Sequence, residues 1–215
     1  MATSQNGWPA RPDLMLRRLE VDGVAFAPGI LDQADVVTVL GYVAREFHQR
    51  VERLRNPGCW GFAFRENRND PTSLSNHSSG TAIDCNAPQH PNGVPTAATF
   101  SPAQVDEVHR ILAEVDHVVR WGGDFQTTPD AMHFEINTGP PALARVALKL
   151  REGEDKMDAR DWQRLGKMVD RAATKAAEQA VERFLDEPIN KHHPDGEPAF
   201  AGVTVREAIK KAAAT

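Results

Sequence analysis

Ser75-Asn76-His77-Ser78-Ser79-Gly80-Thr81-Ala82-Ile83-Asp84, answered further along by Asp130-Ala131-Met132-His133-Phe134-Glu135, is the stretch on which the fold turns. Thr81 to Cys85 reads as a short strand, with Ala82 and Asp84 on one face under the period of two. Gly80 suits a tight turn that folds His77 back beside the strand end. Met132 to Asn137 also alternates, so His133 and Glu135 share one face while Met132 and Phe134 take the other. Two neighbouring strands then bring His77, Asp84 and His133 together. Two imidazoles and a carboxylate suit a first-row metal such as zinc, and a catalytic site commonly uses three protein ligands with a fourth position for water. By spacing alone, the three also pass as ordinary polar residues of a loop-rich domain.

The pattern Ser-x-His-x-x-Gly-x-Ala-x-Asp, followed by Trp121-Gly-Gly and Asp130-x-x-His-Phe-Glu, resembles the zinc peptidases of bacterial peptidoglycan. That family includes D-Ala-D-Ala dipeptidases and carboxypeptidases and the L-alanyl-D-glutamate peptidases of many phage endolysins. The resemblance spans roughly residues 55 to 138. It implies an α+β fold with a small antiparallel sheet flanked by helices, as in hedgehog and DD-peptidase domains. It also implies one zinc held by His77, Asp84 and His133, with Asp130 as general base. Arg65 in Phe62-Ala-Phe-Arg matches the arginine that steadies the substrate carbonyl and its developing oxyanion. Ser75, Trp121 and Glu135 are expected around the ligands or against substrate, with core packing left open for Trp121. Asp at the base position and the Ser73-Leu-Ser-Asn-His lead-in look like the endolysin branch, so the implied reaction is hydrolysis of the L-Ala-D-Glu amide of the stem peptide. A D-Ala-D-Ala carboxypeptidase is the alternative within the enzymes. Outside them stands a noncatalytic zinc domain that binds the wall, since a fold does not fix a function.

A net charge of −5 offers no electrostatic case for nucleic acid or an anionic membrane. No apolar run is long enough to span a bilayer. The N-terminal residues lack the basic and apolar regions of a secretory signal. The implied enzyme is therefore expected to be made in a host cytoplasm and to reach peptidoglycan after holin-type release or from a phage particle. Cys59 and Cys85 fit two small buried thiols in a reducing cytoplasm, with a disulfide left open.

Three regions are expected: an irregular arm at 1–14, the zinc peptidase domain at 15–150 and a helical C-terminal appendage at 151–215. Asp22-Gly23 between Leu16–Val21 and Val24–Ala27 is a hairpin signal. Asp32 to Leu54 reads as an amphipathic helix with His48 on its surface. Trp60 to Arg65 alternates as a strand, Glu66 to Leu74 is a polar loop, and residues 86–100 are a Pro-containing loop with His90 exposed. Ser101-Pro-Ala-Gln104 is a capping box opening a helix to about Val115. His109 is expected to be inert, and His117, before the strand Val118–Trp121, to be a satisfied core histidine. Beyond Pro140, a helix at Ala142–Leu150, a long amphipathic helix at Asp158–Leu185 and a capping box at Thr204–Glu207 complete the reading. The long helix leaves self-association open.

Overall fold

The computed structural model describes residues 2–155 and, beyond them, residues 179, 182, 183, 185, 186, 204, 206, 207 and 210. The chain divides into two compact units, Met1–Asp155 and Lys156–Thr215. In the second unit, the expected capping box is present: the Thr204 amide donates to the Glu207 carboxylate at 3.0 Å and the Glu207 amide to Thr204 Oγ1 at 3.3 Å. Most of the expected helix at Asp158–Leu185 lies outside the described residues.

The first unit is α+β, with three small antiparallel sheets and three α-helices. Strands β1 (Leu16–Val21) and β2 (Val24–Leu31) form the expected hairpin. Asp22 and Gly23 carry φ of 49° and 78°, the paired positive angles of a turn that matches strand twist. Helix α1 (Ala34–Glu46) starts where the Gln33 side chain accepts from the Val36 amide at 2.8 Å, and it buries Val36, Val39, Leu40 and Val43. The expected single helix to Leu54 is cut short, because the backbone widens into a π-helical turn at Phe47–Val51. That turn directs Glu52 toward Asn86 and His90 and lets the Leu54 amide bond His48 Nδ1 at 3.1 Å. His48 is thus half-buried and ties the turn down.

The polar stretch expected to be a loop is instead a hairpin, β3 (Glu66–Asn67) and β4 (Asp70–Leu74). Its apolar content is too low for periodicity to reveal it; Asp70 holds it by accepting from Thr72 and Ser73. Those bonds also lower the Asp70 pKa. Conversely, Trp60 to Arg65 forms no strand: Trp60 makes isolated bridges to Ala27 and Asp84, and the Phe62 and Ala63 amides bond the Gly29 and His77 carbonyls.

The central sheet runs β5 (Ala82–Asp84), β7 (His133–Ile136), β6 (Val119–Trp121), all antiparallel with β7 in the middle. Its register pairs Asp84 with His133, Ala82 with Glu135 and Arg120 with Glu135. A slip of one residue would turn His133 and Glu135 to the opposite face, so this register makes the site. Behind β7, Phe134 packs edge-on to Phe47 at 5.7 Å between centroids and stacks on Trp121 at 6.2 Å. Each such aromatic pair adds about 0.5–1.5 kcal/mol beyond its buried area. Helix α2 (Pro102–Glu114) carries the expected capping box at Ser101 and Gln104, and α3 (Pro140–Asp155) packs on α1.

Two histidine expectations are corrected. His90 is buried, not exposed: its ring lies 4.0 Å over Phe100 and its Nε2 is 3.1 Å from Glu52. His117 is exposed in a turn, not in the core. Cys59 and Cys85 are both buried free thiols, and burial raises both pKa values. Among the described residues, no helix is long and apolar enough to cross a membrane.

Candidate metal centre and cleft

Local chemistry sets His77. Ser75 opens a 3-10 turn, Asn76–Ser79, by accepting from the His77 amide, and Gly80 closes it at φ 66°. Gly80 is required twice over, since a Cβ there would sit 2.6 Å from the Leu31 nitrogen. His77 Nδ1 lies 2.5 Å from the Gly61 carbonyl and must donate to it, which leaves Nε2 with its lone pair facing inward.

Three atoms then converge. His77 Nε2 is 3.2 Å from Asp84 Oδ1 and 3.1 Å from His133 Nδ1, and His133 Nδ1 is 3.0 Å from Asp84 Oδ1. Tetrahedral donors held about 2.0–2.1 Å from a zinc ion are about 3.3 Å apart, so this triangle fits one. The donor chemistry agrees: two imidazole nitrogens and a carboxylate oxygen, all buried, each imidazole with its second nitrogen already engaged.

His133 Nε2 is 2.8 Å from Glu135, whose carboxylate also accepts from Asn76 Nδ2 and from the Arg120 guanidinium. Burial alone would raise the Glu135 pKa, but His133, Arg120 and Asn76 prevail and lower it to about 2. Without a cation, burial disfavours the His133 imidazolium, yet the flanking Asp84 and Glu135 carboxylates outweigh it and raise its pKa to about 10. Burial likewise opposes the Asp84 carboxylate, and His77 and His133 together still hold its pKa well below the usual range.

Asp130 sits one tight turn before β7, its amide bonded to the Gly122 carbonyl at 2.8 Å and its carbonyl accepting from the His133 amide at 2.9 Å. Gly122 permits this approach, since a Cβ there would stand 2.4 Å from the Asp130 carbonyl oxygen. The side chain lines a cleft of about 430 Å³ together with His133, Ser75, Asn92, Arg65 and Arg120. Burial raises its pKa, against pulls from His133 and an Asn92 hydrogen bond, and its Oδ1, shut off from solvent, has no hydrogen-bond partner among the described residues. Arg65 reaches the same cleft. Its backbone is pinned to the His77 turn: its amide bonds Ser78 Oγ at 2.9 Å, and its carbonyl accepts from the Ser75 amide at 3.1 Å.

The structure thus brings His77, Asp84, His133, Asp130, Arg65, Ser75 and Glu135 together. Trp121 stands apart: it is wholly inside the core, where its Nε1 donates to the Ala131 carbonyl at 2.7 Å and props the turn before His133. Phe125 takes the place on the cleft wall, with the Arg120 guanidinium 5.1 Å over its ring. Asp124 faces outward to His109 at 3.0 Å.

The N-terminal arm, expected only as an irregular segment, reaches the centre, and the sequence gives no sign of those contacts. The Asn6 amide donates to Asn76 Oδ1 at 2.9 Å, and its side chain bonds Thr81 Oγ1 and the Ile136 carbonyl at 2.8 Å each. Trp8 is buried, with Nε1 donating to the Thr138 carbonyl. Gln5 lines the cleft and pairs with Asn67 of the β3–β4 hairpin. A chain of contacts therefore runs from Asn6 through Asn76 and Glu135 to His133. Polar Asn6 between Gln5 and Gly7 carries no periodic or motif signal. Outer partners of metal ligands are worth roughly 10- to 100-fold in metal affinity. Asn6→Ala keeps the backbone bond to Asn76 but removes the side-chain bonds to Thr81 and Ile136 that seat it. It is expected to weaken zinc binding several-fold with circular dichroism unchanged, read by chelator competition, and unaltered affinity would show that this side-chain seat does not support the centre.

The family described as D-alanyl-D-alanine carboxypeptidase matches residues 68–136, less than half of the chain. The matched span contains His77, Asp84, Asp130, His133 and Glu135 and stops short of Arg65. No curated protein and no solved structure gives a significant match. The match supports a peptidase reading of the site.

Proposed function

We propose that the chain is a zinc peptidase of the peptidoglycan stem peptide, cutting the L-Ala-D-Glu amide, and that it acts as an endolysin or particle-borne lysin. One observation carries the hydrolytic reading: the half-buried Asp130 side chain lines the same cleft as His133 of a metal-fitting triangle. Binding a metal requires neither Asp130 nor Arg65, so the pair favours an enzyme over a domain that only binds the wall.

Zinc held by His77, Asp84 and His133 would supply Lewis acidity and a nucleophilic water near neutral pH. Asp130 takes the proton of the attacking water on its carboxylate and returns it to the nitrogen of the departing amine. Its raised pKa suits both halves of that task, as a base near its working pH is also a competent acid. Arg65 faces the carbonyl and holds the negative charge that develops on its oxygen. Burial lowers the Arg65 pKa, which marks a guanidinium out of full solvent, where its charge is felt more strongly. Glu135 fixes the His133 ring through Nε2, leaving Nδ1 for the metal.

The family description favours a D-Ala-D-Ala carboxypeptidase as the second reading. A cleft of about 430 Å³ favours the endopeptidase, because that volume exceeds one terminal alanine and is within the range of sites for larger ligands. Elemental analysis of the purified protein beside mass spectrometry of digested peptidoglycan decides. One zinc per chain and a new amine on D-Glu are expected. Release of free D-alanine instead would establish the carboxypeptidase, and one zinc without product from several wall chemotypes would leave a binding domain.

A further inference from the structure

The metal-fitting triangle lies between two depressions whose linings share only Arg65 and Arg68. On one side is the polar cleft that holds Asp130 and His133. On the other is a groove with His77 and Asp84 at its base and Pro28, Trp60 and Phe62 on its walls; Trp60 is 44% exposed there. The departing amine must lie on the side of the group that protonates it, and Asp130 lines only the polar cleft. The leaving half of the substrate therefore occupies the cleft, and the acyl half occupies the apolar groove.

Charge in the cleft is not balanced evenly. Arg120 is neutralised by Glu135, and Asp70 is satisfied within its own hairpin. Arg65 bonds the Glu66 carbonyl, and Arg68 has no hydrogen-bond or ion-pair partner among the described residues. The two guanidiniums are close enough that Arg68 helps to lower the Arg65 pKa, second to burial. Arg68 stands exposed at the turn of the β3–β4 hairpin, which the Asn67 amide group ties to Gln5 and the Gln5 backbone ties to Leu74. An arginine exposed at the boundary of both depressions, next to the oxyanion arginine, is available to pair with an anion on the substrate close to the scissile amide.

We propose that Arg68 binds a free α-carboxylate on the residue immediately after the scissile amide, so that the substrates are stem peptides in which that residue is an unamidated D-amino acid. This rests on the peptidase reading and deepens it: a D-glutamyl residue linked through its γ-carboxyl presents such a group, and its carboxamide form does not.

Two N-acyl-L-alanyl-γ-D-glutamyl peptides that differ only in α-carboxylate against α-carboxamide test it with the zinc-loaded full chain. Wild type is expected to favour the carboxylate at least about tenfold in kcat/KM, as one charge-assisted hydrogen bond at a partly solvated site provides. In Arg68→Ala that ratio should collapse to about one. Equal cleavage of the two peptides by wild type, or a ratio that survives in Arg68→Ala, would overturn the proposal while leaving the peptidase intact. If neither peptide is cut, the assigned bond is wrong, and calorimetry with zinc-loaded Asp130→Asn still decides: an Arg68-dependent preference for the carboxylate peptide upholds the proposal, and equal affinities overturn it.

Discussion

His77→Ala is expected to lose zinc and hydrolysis together. His77 Nε2 is one corner of a triangle with edges of 3.0–3.2 Å, and its removal leaves Asp84 and His133 as two donors where a catalytic zinc needs three. Partners outside the ligand shell are already worth roughly 10- to 100-fold, so deletion of a ligand should lower zinc affinity by on the order of 10³-fold or more. The buried ring also anchors the Gly61 carbonyl, which would lose its donor. Zinc titration against a competing chelator, with chelated wild type as the comparison, separates the two effects. Added zinc should restore activity to the chelated wild type and not to the variant. A variant that keeps one tightly bound zinc would remove His77 from the ligand set.

Much of this site was readable because its information is local. Ser75 capping a turn that Gly80 closes, and alternation through Ala82, Asp84, His133 and Glu135, are patterns of neighbours, and the fold obeys them. So are Asp22-Gly23 and the Ser101–Gln104 box. The misses depend on partners far along the chain. His90 is buried because Glu52 and Phe100 close on it from two other segments, and nothing in its own polar loop foretells that. The β3–β4 hairpin is held by Asp70 side-chain bonds and by Gln5, not by an apolar face. The widened turn at Phe47–Val51 lies under an unbroken helical pattern and arises where His48 and Glu52 are drawn to partners outside the helix. Trp121 illustrates the converse: a tryptophan before two glycines suits a cleft wall, but its place opposite Phe134 in the register sends it into the core. Arg68 shows why the charge logic of the cleft depends on the fold, since its significance is that none of the described residues pairs with it.

Asp130→Asn is expected to lower kcat by roughly 10²- to 10⁴-fold, the usual contribution of a positioned general base, with zinc content and KM little changed. Asparagine keeps the size and the turn into β7, where the Asp130 backbone bonds Gly122 and His133, so the loss is chemical. The pH dependence has a definite sign. Burial raises the Asp130 pKa, and only the ionised form accepts the water's proton; wild-type kcat/KM should fall as pH drops through a value above the ordinary carboxylate range of about 4. Stability runs the other way. A carboxyl whose folded pKa is raised contributes fully to stability below its unfolded pKa, and that contribution is lost as pH rises through the folded value. At neutral pH the fold therefore carries a half-buried carboxylate whose buried Oδ1 has no partner among the described residues, and removing that charge should raise Tm of the metal-free protein. Thermal melts of the two metal-free proteins at pH 7 and below pH 4 check this: the variant should melt higher at pH 7 and the gap should close in acid. Turnover that survives the substitution, or that falls only as far as zinc is lost, would take the base role from Asp130. A more stable, zinc-replete and inactive variant would instead locate the chemistry in a group that the fold holds at the expense of its own stability.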